Sequence, residues 1–263
     1  MILLNENRFD NSSYENYHKK RIKFTIDKLN KIGARNIVEV GGHPWVMTSS
    51  IIDNQNFDLL ATISAEEITK WPDEIGVTKN KYIIKTVNHN TSSFYNYSAN
   101  IERTIFNIDE DPDTVLACEI IEHLVRSPHV LLLNINKWLK KGGKLILTTP
   151  NGLQFNNPFR RKTQMPSYRC YIYERHSYIY SLEKLIDLTQ LCGFEVLSSG
   201  LVDVYDRNGL SKLYKLASKI PFDYFSEKFK PMIYVIAQKG KSVVQLERCP
   251  KAYESNGDWE YIN

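Results

Sequence analysis

At 263 residues, with 42% hydrophobic and 24% charged residues, the chain has a globular balance and enough length for one large domain or two small ones. Its net charge of +4, from 34 Lys and Arg against 30 Asp and Glu, is too mild to call for nucleic acid. Cys118, Cys170, Cys192 and Cys249 form no CxxC pair, which argues against a zinc site or a disulfide framework and for a reduced, cytoplasmic setting. No run of about 18 apolar residues is present, so no membrane span is expected. The first residues turn polar too soon for a signal peptide.

Residues 13–32 read as a helix. Ser12 or Ser13 caps it, and Tyr17, Ile22, Phe24, Ile26, Leu29 and Ile32 recur at roughly helical spacing. Lys19, Lys20, Arg21, Lys23 and Lys28 make its other face basic and solvated, and Gly33 closes it. The stretch 36–45, N-I-V-E-V-G-G-H-P-W, then reads as a strand buried on both faces that runs into a tight glycine turn. Glu39 breaks the apolar run, and an acid there is costly to bury unless it meets a donor. A bound ligand's ammonium or hydroxyls would be such a donor.

Residues 46–53 start the first crossover helix, whose N-terminus favours a carboxylate or phosphate at Gly41 and Gly42. Residues 57–63 read as a second strand, with Ser64, Glu66 and Glu67 just past its end. Residues 82–87 read as a strand, 88–100 as a long Asn-, Ser- and Tyr-rich loop, and 103–108 as another strand. Residues 114–121 are a strong buried strand, followed directly by Glu122 and His123. Pro128 opens a helix through Leu139, closed by Lys140-Lys141-Gly142-Gly143. A strand at 144–149 follows, then an insertion over 152–180 rich in Tyr and Arg. A Ser-capped helix at 181–191, strands at 195–197 and 232–238, and a polar tail over 241–263 complete the chain. The alternation of strands and helices predicts an α/β fold with a doubly wound, mostly parallel sheet. One domain spans 1–240, and 241–263 form an extension.

Three blocks come in a fixed order: N-I-D-E-D-P-D-T-V-L-A-C-E-I-I-E-H-L, then L-K-K-G-G-K-L-I-L-T-T-P-N, then E-R-H-S-Y ahead of C-G-F-E-V. Together they resemble the class I S-adenosylmethionine-dependent methyltransferases. The likeness is strongest to a bacterial branch with EHL, LKKGG and TTPN motifs, often associated with glycan biosynthesis. It implies a seven-stranded Rossmann-like sheet with a terminal antiparallel strand, and S-adenosyl-L-methionine as cofactor. It also implies that Glu39, Gly41 and Gly42 line the methionine end, that Asn107 and Ile108 meet the adenine, and that Cys118 and Glu119 lie beside the methyl group. The family's second and third turn glycines are replaced here by His43 and Trp45, so the turn is expected to be reshaped or its site impaired. The family's ribose acid after the second strand has no obvious counterpart.

The cofactor carries the reactive methyl group, and the protein must align the acceptor with it. A hydroxyl acceptor must also lose a proton, for which His123 and His176 are the candidate bases. Each has a structural alternative: His123 as a residue bonding a nearby loop, His176 as a surface residue among tyrosines. The Tyr- and Arg-rich insertion would cover the acceptor site, and its composition suits sugars or phosphorylated sugars. The leading expectation is O-methylation of a saccharide or glycan intermediate. The alternatives are a degraded methyltransferase-like module that binds a partner protein, and a methyltransferase for RNA or another small metabolite.

Overall fold

Alternation along the strands sorts apolar side chains onto two faces of one sheet. The computed structural model describes residues 2–4, 7–9, 12–64, 77–86, 88–102, 104–124, 128–152, 180–204 and 230–240. Its strands are β1 (Ile2–Leu4), β2 (Asn7–Phe9), β3 (Asn36–Val40), β4 (Asp58–Ser64) and β5 (Thr78–Lys85). They continue as β6 (Thr91–Ser98), β7 (Thr114–Cys118), β8 (Lys144–Pro150), β9 (Phe194–Val202) and β10 (Met232–Lys239). The helices are α1 (Ser12–Ile32), α2 (Val46–Ile52), α3 (Pro128–Trp138) and α4 (Leu182–Leu191). No helix among the described residues is long and apolar enough to cross a membrane.

The sheet order is β2-β1-β5-β6-β4-β3-β7-β8-β10-β9. The run β6-β4-β3-β7-β8 pairs in parallel, and β10 is antiparallel to both β8 and β9. This is the expected seven-stranded, doubly wound sheet with a terminal antiparallel strand. Three further strands, β5, β1 and β2, extend one edge by antiparallel pairing. On one face Val38, Val40, Val115, Ala117, Leu145 and Leu147 pack with Leu131, Leu132 and Ile135 of α3 and Leu185 of α4. On the other, Ile37, Leu116, Ile146 and Ile236 pack with Ile22 and Leu29 of α1 and Ile51 of α2.

Two of the expected caps form. Gly33 ends α1 at φ +71°, and the Ser181 hydroxyl accepts the Lys184 N–H at 3.3 Å to start α4. Two expectations fail. Residues 88–100 are not a loop, since β6 occupies most of them between parallel β4 and antiparallel β5. Its buried polar group is satisfied: Asn96 Oδ1 accepts from the Thr62 hydroxyl at 2.7 Å and the Ser64 hydroxyl at 3.1 Å. Residues 104–108 form no strand, because α3 takes their backbone groups instead. Asn134 Oδ1 accepts the Phe106 N–H at 3.0 Å, Asn134 Nδ2 donates to Thr104 O at 2.8 Å, and Trp138 Nε1 donates to Phe106 O at 3.0 Å. The strand expected over 114–121 stops at Cys118, where Glu119 turns the chain at φ 55°. Glu66, Glu67, nearly all of the insertion (153–179) and the tail 241–263 lie outside the described residues.

Candidate active site

The chain passes from β3 to β4 on one side and later to β7 on the other, so the strand order reverses between β3 and β7. Open α/β sheets bind ligands outside the carboxyl ends of their strands at such a point. A crevice of about 400 Å³ lies there. It is lined by Val40, Gly41 and His43 after β3, by Ile63 and Ser64 of β4, by residues 99–102 after β6, and by Ile120, His123 and Leu124 after β7.

Gly41 makes the close approach possible. It holds φ +80°, and its N–H donates to Ile63 O at 2.8 Å. A Cβ at this position would overlap the Ile120 side chain, so the turn after β3 and the segment after β7 are in contact only because residue 41 has none. The second positive φ of the turn falls on Trp45, at 70°, and not on His43. Trp45 N–H donates to Gly42 O at 2.5 Å, and the indole is fully buried in the core on the α1 and α2 side. It meets Tyr82 at 5.8 Å and Phe94 at 6.1 Å between ring centroids. The turn is reshaped, as expected, with the second positive φ carried by Trp45. The bulky ring serves as core on one side while Gly41 and His43 face the crevice on the other. Left-handed backbone costs a non-glycine residue about 1–2 kcal/mol, which burial of an indole offsets.

Beneath the turn, the side chains on the α1 face form a polar cluster. Glu39 is buried, and its Oε2 accepts the Thr48 hydroxyl of α2 at 2.5 Å. Burial pushes its carboxyl up to about 7, although the Thr48 bond works the other way. Glu119 Oε1 accepts the Thr148 hydroxyl at 2.9 Å, and its Oε2 lies 3.4 Å from Arg21 Nη1. Arg21 Nη2 donates to the Tyr14 hydroxyl at 2.7 Å. On the other face of β8, Glu122 is buried and accepts the Thr149 hydroxyl at 3.0 Å. Burial, and then the neighbouring Glu119, push its carboxyl well above the usual range. Cys118 lies against the same cluster, and burial pushes its thiol up to about 12, so it is not a nucleophile at neutral pH.

The expected site residues are thus partly brought together. Gly41 and His123 line the crevice, and Gly42 is packed under the Trp45 ring. Glu39, Cys118 and Glu119 form the polar cluster behind the crevice. Asn107 is exposed, Ile108 packs against the core, and neither lines the crevice. The strand expected to present them is absent, and residues 99–102 line the crevice instead. His123 is exposed at the rim, with Nε2 3.8 Å from Glu122 Oε1. His176 lies outside the described residues. Sequence reading missed Asn100, Ile101, Glu102, Ile120, Leu124 and Arg21. Arg21 was legible only as one cation in a basic run, although it shares a helical face with Tyr14 and Thr25.

The donor set fits S-adenosyl-L-methionine. The crevice offers apolar walls for a heteroaromatic ring and a glycine backbone that admits close approach. The fold is a doubly wound α/β sheet with a crevice at its switch point. A methyltransferase-domain family model matches residues 17–199, and the chain belongs to that family. It is an S-adenosyl-L-methionine-dependent methyltransferase.

No curated protein sequence matches the chain. Among solved structures, it is similar to a chain in the complex of the Haloferax volcanii Trm112 methyltransferase activator, at 12% identity and TM-score 0.55, over 88% of this chain and 93% of that one. It is also similar to YcgJ of Bacillus subtilis, at 8% identity and TM-score 0.52, over 86% of this chain and all (100%) of that one. The [4+2]-cyclase SpnF is similar at 12% identity and TM-score 0.51, over 84% of this chain and 80% of that one. At these identities the likeness fixes architecture and not reaction.

Proposed function

We propose that this methyltransferase acts in the cytoplasm on a hydroxyl of a saccharide or glycan intermediate, with His123 taking the hydroxyl proton. The observation that carries the reading is the place of His123: exposed, on the segment directly after β7, at the rim of the crevice that Gly41 enters. S-adenosyl-L-methionine supplies an activated methyl group when bound. Glu39, Gly41 and Gly42 hold its methionine end, while Cys118 and Glu119 flank the reacting side. Arg21 keeps Glu119 in place from α1. The buried carboxyl of Glu122 faces His123 and orients the imidazole. His176, in the Tyr- and Arg-rich insertion, is the second candidate base, and that insertion covers the acceptor.

The test is a methyl-transfer screen over sugar nucleotides and free saccharides, repeated with His123→Gln and His176→Gln. His123→Gln is expected to lower kcat by about 10²–10⁴ with unchanged affinity for S-adenosylhomocysteine. Full activity of His123→Gln on every accepted sugar would remove His123 from the mechanism. Transfer only to RNA or to a non-sugar metabolite would overturn the acceptor class.

A further inference from the structure

Glu119 joins β7 to the crevice segment in a left-handed backbone conformation, at φ 55°. A residue with a Cβ adopts that conformation at a cost and keeps it only where its surroundings hold it there. Contacts from two different elements do so. On β8, Thr148 O accepts the Glu119 N–H at 2.9 Å, and the Thr148 hydroxyl donates to Glu119 Oε1 at 2.9 Å. From α1, Arg21 Nη1 meets Glu119 Oε2 at 3.4 Å. Arg21 is itself buried and anchored, since its Nη2 donates to the Tyr14 hydroxyl at 2.7 Å.

The turn at Glu119 decides what the next residues can reach. Ile120 follows directly and places its Cδ1 methyl where a Cβ on Gly41 would lie. Ile120 O then accepts the His123 N–H at 2.9 Å, in the short helical turn that brings His123 to the rim. A carboxylate this buried moves towards water when its cation is taken away. To do so it must leave Thr148, and residue 119 is then released from its left-handed turn.

We infer that Arg21 is a positioning residue for the crevice: its pairing with Glu119 holds the backbone turn after β7, and that turn sets the places of Ile120 and His123. The inference rests on the cofactor reading above for its effect on binding. Arg21 acts here through Glu119 and takes no part in methyl transfer.

The experiment uses the full chain as wild type, Arg21→Met, Arg21→Met/Glu119→Gly and Arg21→Met/Glu119→Ala, with melting curves to show that each is folded. The nuclear Overhauser contact between the Ile120 δ1 methyl and the Gly41 α-protons reads the turn without ligand. Calorimetric titration with S-adenosylhomocysteine reads the crevice. Arg21→Met is expected to lose the methyl contact and to weaken binding by about tenfold, the order of the left-handed penalty that binding must then overcome. Both double variants lack the buried carboxylate, but only glycine takes the left-handed turn freely. The glycine double variant is therefore expected to regain the methyl contact, and the alanine one is not. An unchanged contact and affinity in folded Arg21→Met would overturn the inference. Equal behaviour of the two double variants would overturn it as well, because Arg21 would then serve the charge of Glu119 and not the turn. If Arg21→Met does not fold, a folded glycine double variant with the contact supports the inference, and an unfolded one overturns it. A folded wild type that binds no S-adenosylhomocysteine would sink the cofactor reading itself, while the methyl contact would still decide the role of Arg21.

Discussion

Gly41 and Ile120 interlock: the α-carbon of one carries no side chain where the side chain of the other lies. The turn after β3 and the segment after β7 therefore wall the crevice as one unit. Gly41→Ala meets both the Ile120 side chain and an unfavourable φ of +80°. A loss of about 1–3 kcal/mol in stability and a loss of cofactor affinity are expected. Adding Ile120→Ala should return the steric part and leave the backbone part. Urea unfolding of the single and double variants separates the two.

Trp45 is held by packing against its own backbone preference. Trp45→Ala removes a fully buried indole from the cluster with Tyr82 and Phe94 and should cost about 3–5 kcal/mol. Trp45→Gly makes the same cavity but relieves the left-handed strain. It should therefore be the more stable of the two by about 1 kcal/mol. Equal denaturation midpoints for the two variants would show that the turn carries no strain.

Asn96 ties β6 to β4 through two hydroxyls. Asn96→Ala leaves the Thr62 and Ser64 hydroxyls without their acceptor in a buried site, at a cost of about 1–3 kcal/mol. A lower urea midpoint with an unchanged m-value is the expected reading.

Glu39 sets a pH dependence. Its folded-state pKa, about 7, lies above its ordinary value of 4.5. Between those values the folded chain holds a proton that the unfolded chain has lost, so stability falls as pH rises from 4.5 to 7 and then levels. The effect is on the order of 3 kcal/mol. Glu122 is shifted in the same direction and adds to the slope. Glu39→Gln should flatten the profile and gain stability over the wild type at pH 8 relative to pH 5. Denaturation curves across that range check the sign.

The sequence carried the fold wherever hydropathy and caps coincide. The strands β3, β7, β8 and β10 are apolar runs, and α1 and α4 are marked by Gly33 and Ser181. Hydropathy failed at β6, which buries Asn96 through hydrogen bonds from Thr62 and Ser64 and buries Ser98 as well, so its polar composition imitates a loop. It failed in the opposite sense at 104–108, where Ile105, Phe106 and Ile108 resemble a strand but dock on the core and on α3. That error left residues 99–102, which line the crevice, out of the expected site and put Asn107 and Ile108 in it. Gly41 was legible because a buried strand ending in glycine has few uses. The outcome at Trp45 was not, since only the packed structure shows which side of the turn its ring takes.

The most direct test of the account is calorimetric titration of the purified chain with S-adenosylmethionine and S-adenosylhomocysteine. The account predicts one site in the micromolar range for both, weakened by Glu39→Ala and abolished by Gly41→Val in protein that still melts cooperatively. No binding up to millimolar concentrations by the folded wild type would contradict it, because the crevice between β3 and β7 would then not be a cofactor site.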